Sequence, residues 1–481
     1  MRRLAGVLAF LALVVAGCGG TSDPGAGGAS IVPESAAAFI EINTDLDSSQ
    51  WQTVDELASR FPDKEKAVKA LRDGIREEGV DWERDVKPAL GPELDFVWLD
   101  FEDDGQNFVV LMQPDDESKF KELLKKDAEA GEDFVAEEVR GWQVLAQSPA
   151  AIDRFRRASG SGEALADKRA FVDAMDSYPE ETLFRAFVDG KPIMDLVRRY
   201  AQPNERKMIA KFGSLDWIAS DLHVTSEGVR FDANVHGTAG PALKGVTPTR
   251  PFGPSLTKEV PANALVFATF HGAKGMLSGL KNNPLFDDTP ELRRYSDVLQ
   301  GIESLLQGEN AFYVRPASGK SPEVTLVTEP AAGTNGVKTL DRILARYRSQ
   351  LDLPSQPRPS RIAGGPARTI DFGLFKVHYA NVGKRFVITD LAAGIAALKG
   401  SPPSLAQSDE YEGAVDASEM PGKTQGFLYV NVRGGVKYAE RLAGSPIPGE
   451  IKRNLRPLRS VVEYAYTRPS EVQLTFFLRI K

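Results

Sequence analysis

Several short constellations in this chain have residue types and spacings that chemistry uses. The four histidines are His223, His236, His271 and His378. No two sit at i and i+4, and no H-E-x-x-H occurs, so the helical zinc pattern is missing. All four fall in strand-like text, where a packed or surface histidine is expected and a metal ligand is not. Asp100-Phe-Glu102-Asp-Asp104-Gly105 matches the first half of a calcium loop, D-x-[DN]-x-[DN]-G. The Glu needed six residues after the glycine is replaced by Leu111, so a solvated hairpin turn is expected. Gly319-Lys320-Ser321 ends like a P-loop, but Val314 stands where the first glycine belongs and Pro322 follows where a helix must begin. Ser118 and Lys121 fit the S-x-x-K nucleophile motif. An S-x-N partner is not evident, and Lys423-Thr424-Gln425 lacks the third-position glycine of K-T-G. No G-x-S-x-G occurs. The residues therefore predict no catalytic set, no metal site and no cofactor.

Cys18 is the one cysteine. It follows Arg2-Arg3, an apolar run from Leu4 to Ala16, and the small residues Ala16-Gly17. That order is a basic n-region, a short h-region and a cleavage site. The run falls short of the roughly 20 residues that cross a bilayer. Val15-Ala16-Gly17-Cys18 resembles the lipobox of bacterial lipoproteins. The resemblance implies that residues 1–17 are a signal peptide and that Cys18 becomes the lipid-modified first residue of the mature chain. Acyl chains hold by about 0.8 kcal/mol per buried CH₂, so the protein is expected to be anchored to the membrane, not to span it. The expected location is the outer face of the cytoplasmic membrane. Residues 18–30, rich in Gly and Ser, read as a flexible tether.

Formal net charge is −8, from 59 Lys and Arg against 67 Asp and Glu. Removal of Arg2 and Arg3 leaves the mature body more acidic still. Such a balance does not favour a nucleic-acid partner, and no basic stripe compensates along the sequence.

The elements that must position these residues come in two similar series. Ile31–Asn43 (IVPESAAAFIEIN) and Glu259–Phe270 (EVPANALVFATF) each place Val-Pro before an apolar strand. Helical text follows: Pro62 opens Ala67, Leu71 and Ile75 at helical spacing, and Pro290 to Leu306 is its counterpart. Leu94–Phe101 with Phe108–Met112 and Ala311–Val314 with Val324–Val327 then form hairpins. Amphipathic helices around Phe120 and Leu340 come next. Ser148, and Thr389 or Asp390, are suited to cap the following helices. Leu183–Val188 matches Phe427–Val432, and each series closes on a long hairpin. In the last strand Val472, Leu474, Phe476, Leu478 and Ile480 fall on one face, which is predicted to be the buried one. The fold class expected is α+β, with two tandem homologous repeats, residues 31–237 and 259–481, each a mainly antiparallel sheet with helices on one face. Residues 238–258, with four prolines, read as a linker.

IVPESAAAFIEIN at Ile31, LGPELDFVWLDF at Leu90 and FVVLMQPDDESKFKELL at Phe108 resemble the DUF3352 family of bacterial envelope lipoprotein-type proteins. The resemblance is expected to cover most of the mature chain and implies an envelope location, with no activity to transfer. The expectation is a non-enzymatic binding or scaffold module whose partner is the membrane, through Cys18, and an envelope protein or hydrophobic ligand. The alternatives are a carrier holding a lipid-like ligand between the repeats and a cell-wall hydrolase. Whatever site exists should be asymmetric or lie where the two copies meet, because the candidate residues are not shared by the two series.

Overall fold

The computed structural model describes residues 27–77, 79–102, 107–129, 134–240, 250–272, 301–319, 321–348, 355–400, 402–444, 446–468 and 470–481. Cys18, the signal segment, the turn at Asp103 to Gly105, Lys320 and most of the Pro290 to Leu306 helix lie outside them. The chain divides into two compact units. One comprises the described residues through Arg206 with Leu215–Gly237 and Lys481; the other comprises Lys207–Ser214 and Thr238–Ile480.

The first unit holds β1 (Ala38–Asn43), β2 (Glu93–Trp98), β3 (Phe108–Met112), β4 (Val135–Val139), β5 (Trp142–Ala146), β6 (Phe184–Asp189), β7 (Gly213–Thr225) and β8 (Gly228–Ala239). Its strands pair antiparallel in the order β4-β5-β3-β2-β1-β6-β7. β8 returns from β7 through the turn at Ser226 and Glu227.

The second unit holds β9 (Val266–His271), β10 (Glu309–Arg315), β11 (Glu323–Thr328), β12 (Arg358–Ile362), β13 (Gly365–Asp371), β14 (Lys376–Val382), β15 (Arg385–Thr389), β16 (Gly426–Asn431), β17 (Leu458–Arg468) and β18 (Glu471–Ile480). These also pair antiparallel, in the order β12-β13-β14-β15-β11-β10-β9-β16-β17-β18. From β14 to β17 the order repeats that of β4 to β7, and β12–β13 is an added hairpin.

Apolar residues at alternate positions explain the cores. In the first unit Phe39, Val97, Leu111, Val144 and Phe187 face Ile152 and Phe155 of the helix Pro149–Ser161 and Phe171 of the helix Arg169–Met175. Phe171 meets Phe39 and Phe187 edge to face, with centroids 5.8 and 5.4 Å apart. Each such ring, fully buried, contributes about 1.5–3 kcal/mol. Ser148 opens the helix Pro149–Ser161 by accepting from Ala151 N–H, as its residue type predicts.

The expectation of helices on one face fails. On β15, Val387 joins the cluster of Ile395, Tyr411, Phe427 and Tyr429, while Phe386 and Ile388 meet Ile343 and Leu340 of the helix Gly336–Arg346 on the other side. Central strands with apolar residues at both parities need cover on both faces. In the first unit Val110 and Met112 are buried as well as Val109 and Leu111.

Three further expectations change. Within the expected tether, Gly28–Ser30 form a 3-10 turn with Gly28 and Ala29 buried. The described ends of the 238–258 segment are structured: β8 runs to Ala239, Phe252 bridges Thr424, and Leu256 is fully buried in a 3-10 turn Leu256–Lys258. Finally, β18 turns the other face inward from Val472 to Phe477, although Ile480 is buried as expected. Thr475 and Phe477 are buried, and Val472, Leu474 and Phe476 are about 40% exposed. A period-two strand offers two faces, and counting apolar residues selects the wrong one here. The helix Ser49–Ser59 was not foreseen. Ser48 caps it, and Trp51 Nε1 donates to Asn43 O at 2.9 Å. Thr389 alone approaches the capping role: its hydroxyl accepts from Leu391 N–H, while Asp390 accepts instead from Val324 N–H.

Candidate functional site

A row of charged residues crosses the core face of the first unit's sheet. Asp95 on β2 lies opposite Glu41 on β1, Glu41 opposite Arg185 on β6, and Arg185 opposite Asp221 on β7. Each shares the face of a core residue two positions away: Val97, Phe39, Phe187 and Ala219. Asp95 and Asp221 have no exposed surface, and Arg185 is 5% exposed. Glu93 lies beside Asp95 on the same strand face and is also buried.

Electrostatics follow from that burial. Loss of solvent, then the charge of Glu93, pushes the Glu41 carboxyl up to about 7, with Arg185 opposing. Burial, then repulsion from Glu93 and Glu41, pushes Asp95 well above the carboxylate range. A hydrogen bond with the Glu93 carboxyl adds to the same upward shift. Arg185 gives Nη2 to the carbonyls of Pro179 and Glu180, and its Nε is unpaired. The row therefore carries more acid than base. Both shifts favour the protonated carboxyl over the ionised one.

Beyond Asp221 the row ends in a second cluster. His223 Nδ1 lies 2.7 Å from Asp221 Oδ2, and Arg230 clamps Asp232 through Nε at 2.6 Å and Nη2 at 3.3 Å. One ligand atom each from Asp221, His223 and Asp232 falls within 4.8 Å of the others. Sequence reading missed this trio because the residues are spread over two strands. The donor set suits a divalent cation, but Arg230 already supplies the positive charge at Asp232. The cluster is best described as a self-compensated network.

The top of the row is closed by Gly28. Gly28 N–H donates to Glu93 Oε1 at 2.8 Å. A Cβ on Gly28 would lie 1.7 Å from Asp95 Oδ2, so only glycine fits. The second unit builds the same support differently: Glu309 takes the N–H groups of Ser255 and Leu256, both at 2.9 Å. Its matching row is neutral, running Ala311, Thr269, Phe427, Tyr464 and Thr475.

The residues singled out by sequence are dispersed. Ser118 Oγ donates to Asp116 at 2.6 Å, whereas Lys121 reaches Glu117 at 3.0 Å, so the serine and the lysine serve different carboxylates. Asp100 Oδ1 accepts from Glu102 N–H and from Asn107 Nδ2, and Glu102 pairs with Arg199. His236 stacks on Trp217 and meets Asp216 at 3.0 Å. His271 lies against its neighbour's carbonyl at Gly272, and His378 against Thr369, where burial lowers its pKa. Cys18 lies outside the described residues.

No curated protein matches the chain. A solved structure, crystal form III of TP0453, aligns with 46% of this chain and 78% of its own at 11% identity. Its TM-score of 0.26 carries no argument. The three stretches quoted above lie within residues 3–155, and over those residues, not over most of the chain, the sequence matches the family described as protein of unknown function (DUF3352).

Proposed function

We propose that this is a lipid-anchored module of the bacterial cell envelope, held at the outer face of the cytoplasmic membrane by acylated Cys18 and acting by binding. The observation that supports the reading is how near a buried part of the body lies to Cys18 along the chain. Gly27 and Gly28 lie nine and ten residues after Cys18, and Gly28 is fastened to buried Glu93. At about 3.5 Å per residue, a lipid on Cys18 holds the body within roughly 30 Å of the bilayer surface.

The body itself is read as two copies of one α+β element. The shared strand order supports this, and so do small matched details. Leu165 N–H donates to Val32 O, and Leu405 N–H donates to Val260 O. Pro33 bridges Ala164 and Pro261 bridges Ser404. Asp189 and Asn431 each end a strand and cap the next helix. Duplication frees one copy to diverge, and the charged row and the groove described below each occur in one copy only.

Metabolic labelling tests the anchor. Cells fed an alkyne fatty acid should label the wild-type chain and not Cys18→Ala. Equal labelling of both, or of neither, counts against it.

A further inference from the structure

The chain is acidic overall, yet its cations are not evenly spread. In the second unit the helices Val432–Ala443 and Gly449–Leu455 enclose a groove of about 500 Å³. Five cations line it, Arg433, Lys437, Lys452, Arg453 and Arg456, against one acid, Glu440. A basic patch that the linear sequence did not reveal is thus built by folding. Helical spacing makes it: residues 433, 437 and 440 share one face of the first helix.

Two of the cations are already used. Arg433 pairs with Glu410 at 2.8 Å, and Lys452 pairs with Glu440 at 2.8 Å. Among the described residues Lys437, Arg453 and Arg456 have no ion-pair partner. Val436 and Leu455 give the groove an apolar floor. The helix pair at the corresponding place before β7, Gly190–Tyr200 and Pro203–Phe212, is different. There Arg198 meets Asp195, Arg199 meets Glu102, and Arg206 binds the carbonyl of Ala201. Unpaired like charges around one concavity repel each other, and an anion relieves that repulsion.

We infer that this groove binds a phosphate-bearing ligand. Two guanidinium forks and an ammonium match the tetrahedral oxygens of a phosphate. The volume lies in the range of small-molecule sites, and the apolar floor suits a glycerol or acyl portion beside the charged head. The same chemistry is offered by an anionic phospholipid headgroup and by a soluble phosphate ester. The inference stands whether or not Cys18 is acylated.

The test is calorimetry on the purified full-length chain in a non-ionic detergent. The probes are inorganic phosphate, glycerol 3-phosphate and micelles doped with phosphatidylglycerol. Saturable, salt-sensitive binding is expected. It should weaken at least 10-fold in Lys437→Gln/Arg453→Gln/Arg456→Gln and stay unchanged in Arg198→Gln/Arg199→Gln. Single Arg453→Glu should weaken it more than Arg453→Gln, a charge series that does not depend on the triple variant folding. Binding of the doped micelles alone identifies a lipid source, and equal binding of glycerol 3-phosphate identifies a soluble one. Failure of all three probes to saturate, or unaltered binding by the triple variant, overturns the proposal.

Discussion

Gly28 and Asp95 are in contact so close that Gly28 has no space for a side chain: a Cβ would stand 1.7 Å from Asp95 Oδ2. Gly28 thus rests on a buried carboxyl that cannot ionise cheaply. The lid over the charged row and the row itself are one structure.

Gly28→Ala should therefore destabilise the first unit. The carboxyl it strikes is short and enclosed, so relief requires movement of backbone. A loss of about 1–3 kcal/mol is expected from overpacking. Urea unfolding followed by tryptophan fluorescence measures it. Unchanged stability would mean that this segment does not sit on Asp95.

The raised carboxyls fix the sign of the pH dependence. Glu41 moves from an ordinary 4.5 up to about 7, so the folded state binds its proton more tightly than the unfolded state does. Its contribution is greatest below pH 4.5 and is lost as pH rises toward 7, opposite to the usual carboxylate. Asp95 acts in the same direction. Glu41→Gln should flatten the stability profile between pH 5 and 8. At pH 8 it should gain roughly 1–2 kcal/mol, after discounting for the partial exposure of Glu41. A wild-type profile that rises over this window contradicts the assignment.

Arg185 supplies the positive charge facing Glu41. Arg185→Gln should cost about 3 kcal/mol or more at pH 8, where the row is most ionised, and less at pH 5. Equal losses at both pH values would show that Arg185 matters only through its bonds to Pro179 and Glu180.

Glu309 and Glu93 hold equivalent turns but in unlike surroundings. Glu309→Ala orphans the N–H groups of Ser255 and Leu256, with an expected loss of about 2–4 kcal/mol. Glu93→Gln keeps an acceptor for Gly28 and removes a charge that repels Asp95 and Glu41. It should cost under about 1 kcal/mol and lower the Glu41 pKa, readable by carboxyl-labelled NMR.

Arg230 already binds Asp232, one of the three candidate ligands. Wild-type melting should be insensitive to millimolar Mn²⁺ or Zn²⁺. Arg230→Met, which frees Asp232 beside Asp221 and His223, should gain several degrees with added metal. Metal stabilisation of the wild type would reverse the description of this cluster.

Much of the fold was legible because it rests on local signals. Ser148 before Pro149, the alternation in β3 and the Val-Pro starts specify their elements from neighbouring residues alone. The charged row was not legible. Glu41, Asp95, Arg185 and Asp221 look like solvated strand residues until pairing registers put them on the core face. Face choice in β18 failed for the same reason, since Thr475 and Phe477 are inward only by virtue of their partners on β17. The basic groove also needed folding, because its cations come from two helices and are interspersed with acids in the sequence. Packing on both sides of β15 was written in Phe386-Val387-Ile388, a run without alternation, which is the mark of a strand covered twice.

The central claim is attachment through Cys18, and mass spectrometry of the mature N-terminal peptide tests it most directly. The account predicts a chain beginning at Cys18, with acyl groups adding their mass to that residue and no thiol available to iodoacetamide. A mature chain beginning at another residue, or a Cys18 that alkylates freely, would contradict it.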